Sequence, residues 1–153
     1  MTDYTFSRLR DQDIALMVDV QNPYEGPSTP ALQALLKQGY IEGTCLWDAQ
    51  QPIGFALLSV LPPEVELLDL RIAPRRRGRG LGRLLLEHLL ADLARRGAVS
   101  WWLEVRESNC PALRLYQGLG FYQVGIREHY YPTADGTEHA ILMALDIPKA
   151  DHE

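Results

Sequence analysis

Residues 64–105 carry the feature that most constrains the fold. An apolar run from Glu64 to Ala73 leads into an arginine-glycine loop, a leucine-rich segment and a second apolar run, Val99 to Val105. The leucines fall at 81, 84, 85, 86, 89, 90 and 93, a stripe broad enough for a helix from about Leu81 to Arg96 to lie on a sheet. Arg95 and Arg96 complement the negative end of that helix, and Gly97 can close it. Strand, helix and strand in succession imply a parallel pair joined by a right-handed crossover.

The flanking segments supply further strands and helices. Tyr4 to Leu9 reads as a strand, and Asp11 or Asp13 can cap a helix through about Gln21. After a loop at 22–27, Ser28 or Thr29 caps a second helix with Pro30 in its first turn and Gly39 as its stop. Thr44–Asp48 and Ile53–Leu61 form a hairpin about residues 49–52. Asn109 or Ser108 caps a helix with Pro111 in its first turn, ended by Gly120. Phe121–Tyr131 and Thr137–Leu145 then pair across residues 132–136. The expectation is a three-layer α/β (α+β) fold, with a mixed sheet and flanking helices, in one domain over residues 1–153.

Composition narrows the class. An apolar share of 46% and a charged share of 23% exclude disordered, collagen-like and low-complexity chains. The most apolar run, Ile53 to Leu61, is far short of a bilayer span, and Met1-Thr2-Asp3 opens no secretory signal. Cys45 and Cys110 make neither a disulfide framework nor a zinc set, and His88, His129, His139 and His152 lack metal spacing. These readings predict a soluble, cytoplasmic protein without a metal or membrane partner.

Charge is unevenly distributed. Residues 71–83 hold six arginines and no acid, whereas the rest of the chain sets nine basic residues against twenty acidic ones. A uniformly basic surface would imply nucleic acid, and none is expected to bind directly here. The pattern implies one compact anion site on an acidic body that attracts a basic partner. A solvated arginine loop is the plainer alternative.

Arg77-Gly78-Arg79-Gly80-Leu81-Gly82, between strand and helix, is suited to phosphate: glycines let backbone amides turn inward, and a helix N-terminus adds more. A nucleoside-triphosphate loop is excluded, since neither Lys37 nor Lys149 follows a glycine. A dinucleotide fingerprint fails at its third glycine, where Leu85 or Arg83 stands, although Glu104 lies near the spacing of its acid.

Arg77-x-x-Gly80-x-Gly82 fits a third pattern, Arg/Gln-x-x-Gly-x-Gly/Ala. With Trp102-Leu103-Glu104-Val105-Arg106, Ser108-Asn109, Leu115-Tyr116, Gly120-Phe121, Tyr130-Tyr131-Pro132-Thr133 and Asp135-Gly136, the chain resembles the general N-acetyltransferase (GNAT) superfamily. Within it, the likeness is to the RimI family of bacterial ribosomal-protein-alanine N-acetyltransferases. It runs from about Leu67 to Ile147, and over residues 1–63 it is only topological.

The resemblance implies a mostly antiparallel sheet with a central parallel pair, and acetyl-coenzyme A (acetyl-CoA) as co-substrate. The acceptor it implies is a basic protein N-terminus, the alanine of small-subunit ribosomal protein eighteen. It implies that Arg77, Gly78, Arg79, Gly80, Leu81, Gly82 and Arg83 hold the pyrophosphate. Backbone groups of Leu70, Arg71 and Ile72, with the Asn109 side chain, would hold the pantetheine arm. Glu104 becomes the base and Tyr116 the acid, also lying against the coenzyme, and Tyr24, Tyr130 and Tyr131 border the acceptor. Pro23-Tyr24 stands where the family carries Pro-Trp, so acceptor choice can differ.

Acetyl transfer from a thioester needs a neutral amine, an acceptor for its proton and a donor for the leaving thiolate. A tyrosine, with a reference pKa near 10, is protonated at neutral pH, and an α-amine near 8 is already partly neutral, unlike lysine. A single carboxylate therefore suits an N-terminal amine best. Plainer readings remain beside these. Strand alternation puts Glu104 with Ser100 and Trp102, opposite Trp101, Leu103 and Val105, where a carboxylate could simply face water. Tyr116 could be a core residue and Asn109 only a cap, while Arg71, Arg75, Arg76 and Arg79 could grip the coenzyme's 3′-phosphate or be solvated. A lysine or small-amine acetyltransferase and a non-catalytic acyl-CoA-binding module are the other two functions compatible with these residues.

Overall fold

The computed structural model describes residues 3–14, 16, 20 and 29–150. Its strands are β1 (Tyr4–Arg8), β2 (Ile41–Asp48), β3 (Gln51–Leu61), β4 (Glu64–Ile72), β5 (Ser100–Arg106), β6 (Tyr122–Thr133) and β7 (Gly136–Asp146). The helices are α1 (Asp11–Ile14), α2 (Thr29–Leu36), α3 (Leu81–Arg95) and α4 (Cys110–Leu119), and a 3₁₀ turn covers Pro74–Arg76. The strands hydrogen-bond in the order β1-β2-β3-β4-β5-β7-β6 in a mostly antiparallel sheet, with β4 and β5 parallel. Backbone contacts divide the chain into two units, Met1–Leu61 with Leu68–Leu86, and Pro62–Leu67 with Glu87–Glu153.

In the first unit β1, β2 and β3 form an antiparallel meander, with Arg8 opposite Thr44 and Thr44 opposite Ala56. The β2–β3 turn tightens to Ala49 and Gln50, Ala49 taking a positive φ of 53°, so Pro52 is in the strand. Leu9, Ile14, Leu32, Ile41, Cys45, Phe55 and Leu57 are buried together, with Leu35, Leu36 and Trp47 against them. α1 begins at Asp11, and the Asp13 carboxylate accepts from the Arg10 backbone amide, closing the helix start. Much of the expected helix to Gln21, the 22–27 loop with Tyr24, and Ser28 fall outside the described residues. Two expectations for α2 are corrected: Thr29 is inside the helix and so is not its cap, and Gly39 lies in a turn beyond Leu36. The helix ends sooner because Lys37 and Gln38 already close three-residue turns onto Ala34 and Leu35.

In the second unit β5 lies parallel to the first half of β4, Glu64 opposite Ser100 and Leu67 opposite Leu103, and antiparallel to β7. Alternation holds along β5: Trp101, Leu103 and Val105 are buried, while Ser100, Trp102, Glu104 and Arg106 are not. Trp101 packs on Phe121 at 5.4 Å between ring centroids. Asn109, not Ser108, caps α4, its side chain accepting from the Ala112 amide at 3.3 Å, and Gly120 ends it at φ +111°. Both ends are local chemistry that the residue types announce.

The β6–β7 hairpin turns at Ala134 and Asp135, narrower than the expected 132–136. β6 also departs from simple alternation. Arg127 faces Ala140 and Tyr131 faces Glu138, so residues 128–130 stand opposite His139 alone. His129 occupies this bulge at φ +53°. Its backbone amide donates to His139 Nδ1 at 3.0 Å, and its ring lies 5.0 Å from that of His139. The two histidines clamp the bulge.

Candidate functional site

Site residues of the first unit follow the end of β4. Gly54 on β3 admits that strand closely: a Cβ there would lie 2.9 Å from the Arg71 carbonyl oxygen and 2.8 Å from Ile72 Cδ1. The chain then passes through the 3₁₀ turn to Gly78 and Gly80, at φ +78° and +76°. No atom lies within 4 Å of a Cβ built at either, so conformation rather than crowding calls for glycine. Positive φ at two glycines separated by Arg79 is the backbone setting in which successive amides can turn toward an anion. The Gly80 carbonyl accepts from the Leu84 amide, so α3 starts directly behind it with the unpaired amides of its first turn.

The arginines around this loop divide into two sets. Arg71 donates from Nε to both Asp69 oxygens at 3.0 and 3.2 Å, and Arg76 pairs with Asp48 at 2.5 Å. Arg71, only 10% exposed, and Arg76 are therefore structural ion pairs rather than charge held ready for an anion. Arg77 directs Nε to the Ile72 carbonyl at 3.1 Å, while Arg79 is exposed. The Leu70 amide donates to Asp69 Oδ1 at 3.0 Å. Two of the β4 backbone groups expected to pair with a pantetheine arm, the Leu70 N–H and the Ile72 C=O, are thus held by side chains of this unit. A cavity of about 300 Å³ lies elsewhere in the unit, among Leu9, Gln33, Leu36, Lys37 and Ile41.

In the second unit, Glu104 Oε1 forms an ion pair with Arg127 Nε at 3.0 Å, and the carboxylate side chain keeps 22% of its exposure. The Arg127 guanidinium also lies 5.4 Å from the ring centroid of Tyr130. Tyr130 and Tyr131 meet edge to face at 5.0 Å, and Arg106 stacks over Tyr131 at 4.3 Å. Arg106 in turn approaches Glu138, which accepts from the Ser108 hydroxyl at 2.7 Å. Three residues singled out by sequence are therefore joined, Glu104 to Tyr130 through Arg127 and Tyr130 to Tyr131 directly. Burial, then Glu104 and Tyr130, push the Tyr131 phenol up, against Arg106 and Arg127. Glu66 is raised by burial and then by the charge of Glu104, with Arg127 opposing. The Ser108 hydrogen bond holds Glu138 below the usual carboxylate range.

Arg127, Glu66 and Glu138 escaped sequence reasoning. The face on which Arg127 lies depends on register shifts in β6, after Gln123 and after Arg127, which alternation cannot reveal. Tyr116 is 8% exposed on α4, its ring 5.7 Å from Phe121, so it serves the core whatever its chemistry. Asn109 uses Oδ1 as the cap and keeps its amide donors. Among the described residues no group of three or more His, Cys, Asp or Glu could hold a metal, and no helix is long and apolar enough to cross a membrane.

The Acetyltransferase (GNAT) family matches residues 14–121. The chain belongs to this family. The [Ribosomal protein bS18]-alanine N-acetyltransferases of Salmonella typhimurium and Escherichia coli K12 are 52% and 50% identical to it over 93 residues, 61% of this chain. That stretch spans 63% of the length of either relative. The crystal structure of the ribosomal-protein-S18-alanine N-acetyltransferase from Escherichia coli superposes with a TM-score of 0.87 at 36% identity, covering 99% of this chain and 98% of that one. Streptothricin acetyltransferase of Streptomyces lavendulae is 40% identical over 99 residues, 62% of this chain and 52% of that protein.

Proposed function

We propose that this chain is an acetyl-CoA-dependent N-acetyltransferase whose acceptor is the N-terminal alanine of ribosomal protein bS18. The observation that carries the reading is the Glu104 carboxylate, part exposed, held through Oε1 by Arg127, with Oε2 left to receive a proton. The names of the relatives at 50–52% identity support the acceptor.

In this reading the loop Arg77–Arg83 binds the pyrophosphate, and Leu70, Arg71, Ile72 and Asn109 bind the pantetheine arm. The bonds that Asp69 and Arg77 make to Leu70 and Ile72 are exchanged for bonds to the co-substrate. The amine nitrogen attacks the thioester carbonyl carbon, forming the C–N bond as the C–S bond breaks. Glu104 takes the ammonium proton and Tyr116 protonates the leaving sulfur, so the products are the amide and free coenzyme A. Tyr130 and Tyr131 border the acceptor. Changing Tyr116 to Phe is expected to lower turnover by about 10²-fold or more while coenzyme binding, read by calorimetry, stays nearly intact. Unchanged turnover would remove Tyr116 from the mechanism.

The streptothricin relative favours a second reading, acetylation of a small-molecule amine by the same residues. Competition between an alanine-terminated peptide and small amines for one limiting pool of acetyl-CoA separates the two.

A further inference from the structure

We propose that the open sheet face carrying Glu64, Glu66, Trp102, Tyr122 and Asp146, beside Glu104, is a docking track for an extended basic peptide. The register of the second unit lays this face out in rows. Glu64, Ser100 and Asp146 stand opposite one another, then Glu66, Trp102, Ala144 and Tyr122, then Glu104 and Leu142. Paired residues share a face, and successive rows are two residues apart, about 6.7 Å. The first two rows hold three carboxylates and no cation.

Two large aromatic side chains lie open on the same surface. Trp102 is 39% exposed and Tyr122 47%, while Trp101, one residue away on the opposite face, is fully buried. The Trp102 indole satisfies its one polar atom on Ser100 Oγ at 2.9 Å, and Tyr122 donates to Asp146. Such rings stack with guanidinium groups. Burial, and after it the charge of Glu104, raise Glu66, while Arg127 opposes them. An extended peptide repeats its side chains on one side at the row spacing, so arginines at alternate positions meet successive rows. Charge complementarity therefore selects a basic peptide as occupant. The placing of its amino terminus at Glu104 rests on the proposed function; the track itself does not.

The test is calorimetric titration of the full chain, saturated with coenzyme A, with Ala-Ser-Arg-Ser-Arg-Ser and with its Gln-for-Arg counterpart. The arginine peptide should bind about fivefold more tightly at low salt, less so as salt rises. The Glu64→Gln/Glu66→Gln double variant should erase that preference, and Trp102→Ala should reduce it. Equal affinities in the unaltered chain, or a preference that survives the double variant, would overturn the track. Sedimentation supplies the other opposing outcome. If Trp102→Ala and Tyr122→Ala dissociate a dimer while the arginine preference persists, the face joins two copies of the chain and the proposal is wrong. Acetylation of the same peptides is followed separately: charge-dependent binding without turnover supports the track and removes the proposed reaction.

Discussion

In the function proposed above, the arginine-glycine loop of the first unit and the strand face of the second recognise their ligands in opposite ways. The loop relies on main chain: Gly78 and Gly80 at positive φ and the start of α3 orient amides whatever side chains surround them. The face around Glu104 relies on individual side chains, Arg127, Tyr130 and Tyr131 on β6 and Arg106 on β5. A site built from amides is vulnerable to backbone change and tolerant of charge change. A site built from side chains has the reverse sensitivity.

The largest break in this comparison is expected at Glu104. Replacing it with Gln should lower turnover by 10²- to 10⁴-fold without weakening coenzyme binding, measured by single-turnover kinetics and titration calorimetry. The loop sharpens the contrast. Gly80→Ala forces a Cβ into a left-handed conformation, straining the backbone by about 1–2 kcal/mol, so coenzyme affinity should fall roughly tenfold. Arg79→Ala removes only an exposed charge and should cost about threefold or less. A greater loss from Arg79→Ala than from Gly80→Ala would reverse the account of the loop.

The smallest expected effect concerns the two thiols, one in each unit. Cys45 is buried, and burial, with a further contribution from Asp13, pushes its pKa up to about 12. Cys110 is exposed at the start of α4. A chromogenic disulfide reagent at pH 8 should titrate one thiol at once and the second only on unfolding. Rapid reaction of both would mean that the first unit opens without unfolding.

What was legible in the sequence was what local chemistry decides. The caps of α4 at Asn109 and Gly120, the leucine stripe of α3 and the alternation that exposes Glu104 depend on residues within a few positions of one another. The illegible part is non-local. The arginine-rich stretch reads as free charge until Asp48 and Asp69 are found on Arg76 and Arg71. Arg127 meets Glu104 only through the register of β5, β7 and β6, which shifts twice along the hairpin. The histidine clamp that carries Tyr130 and Tyr131 has the same cause: a bulge is a property of a strand pair and has no signature in one strand.

The most direct test of the central claim uses the protein, acetyl-CoA and two peptides, with acetyl addition read by mass spectrometry. One peptide carries a free N-terminal alanine followed by arginine, and the other has its N-terminus blocked and an internal lysine. The account predicts one acetyl group on the first peptide and none on the second. Acetylation of the lysine peptide alone would contradict the acceptor, and modification of neither by a protein that binds acetyl-CoA would contradict the N-terminal reaction itself.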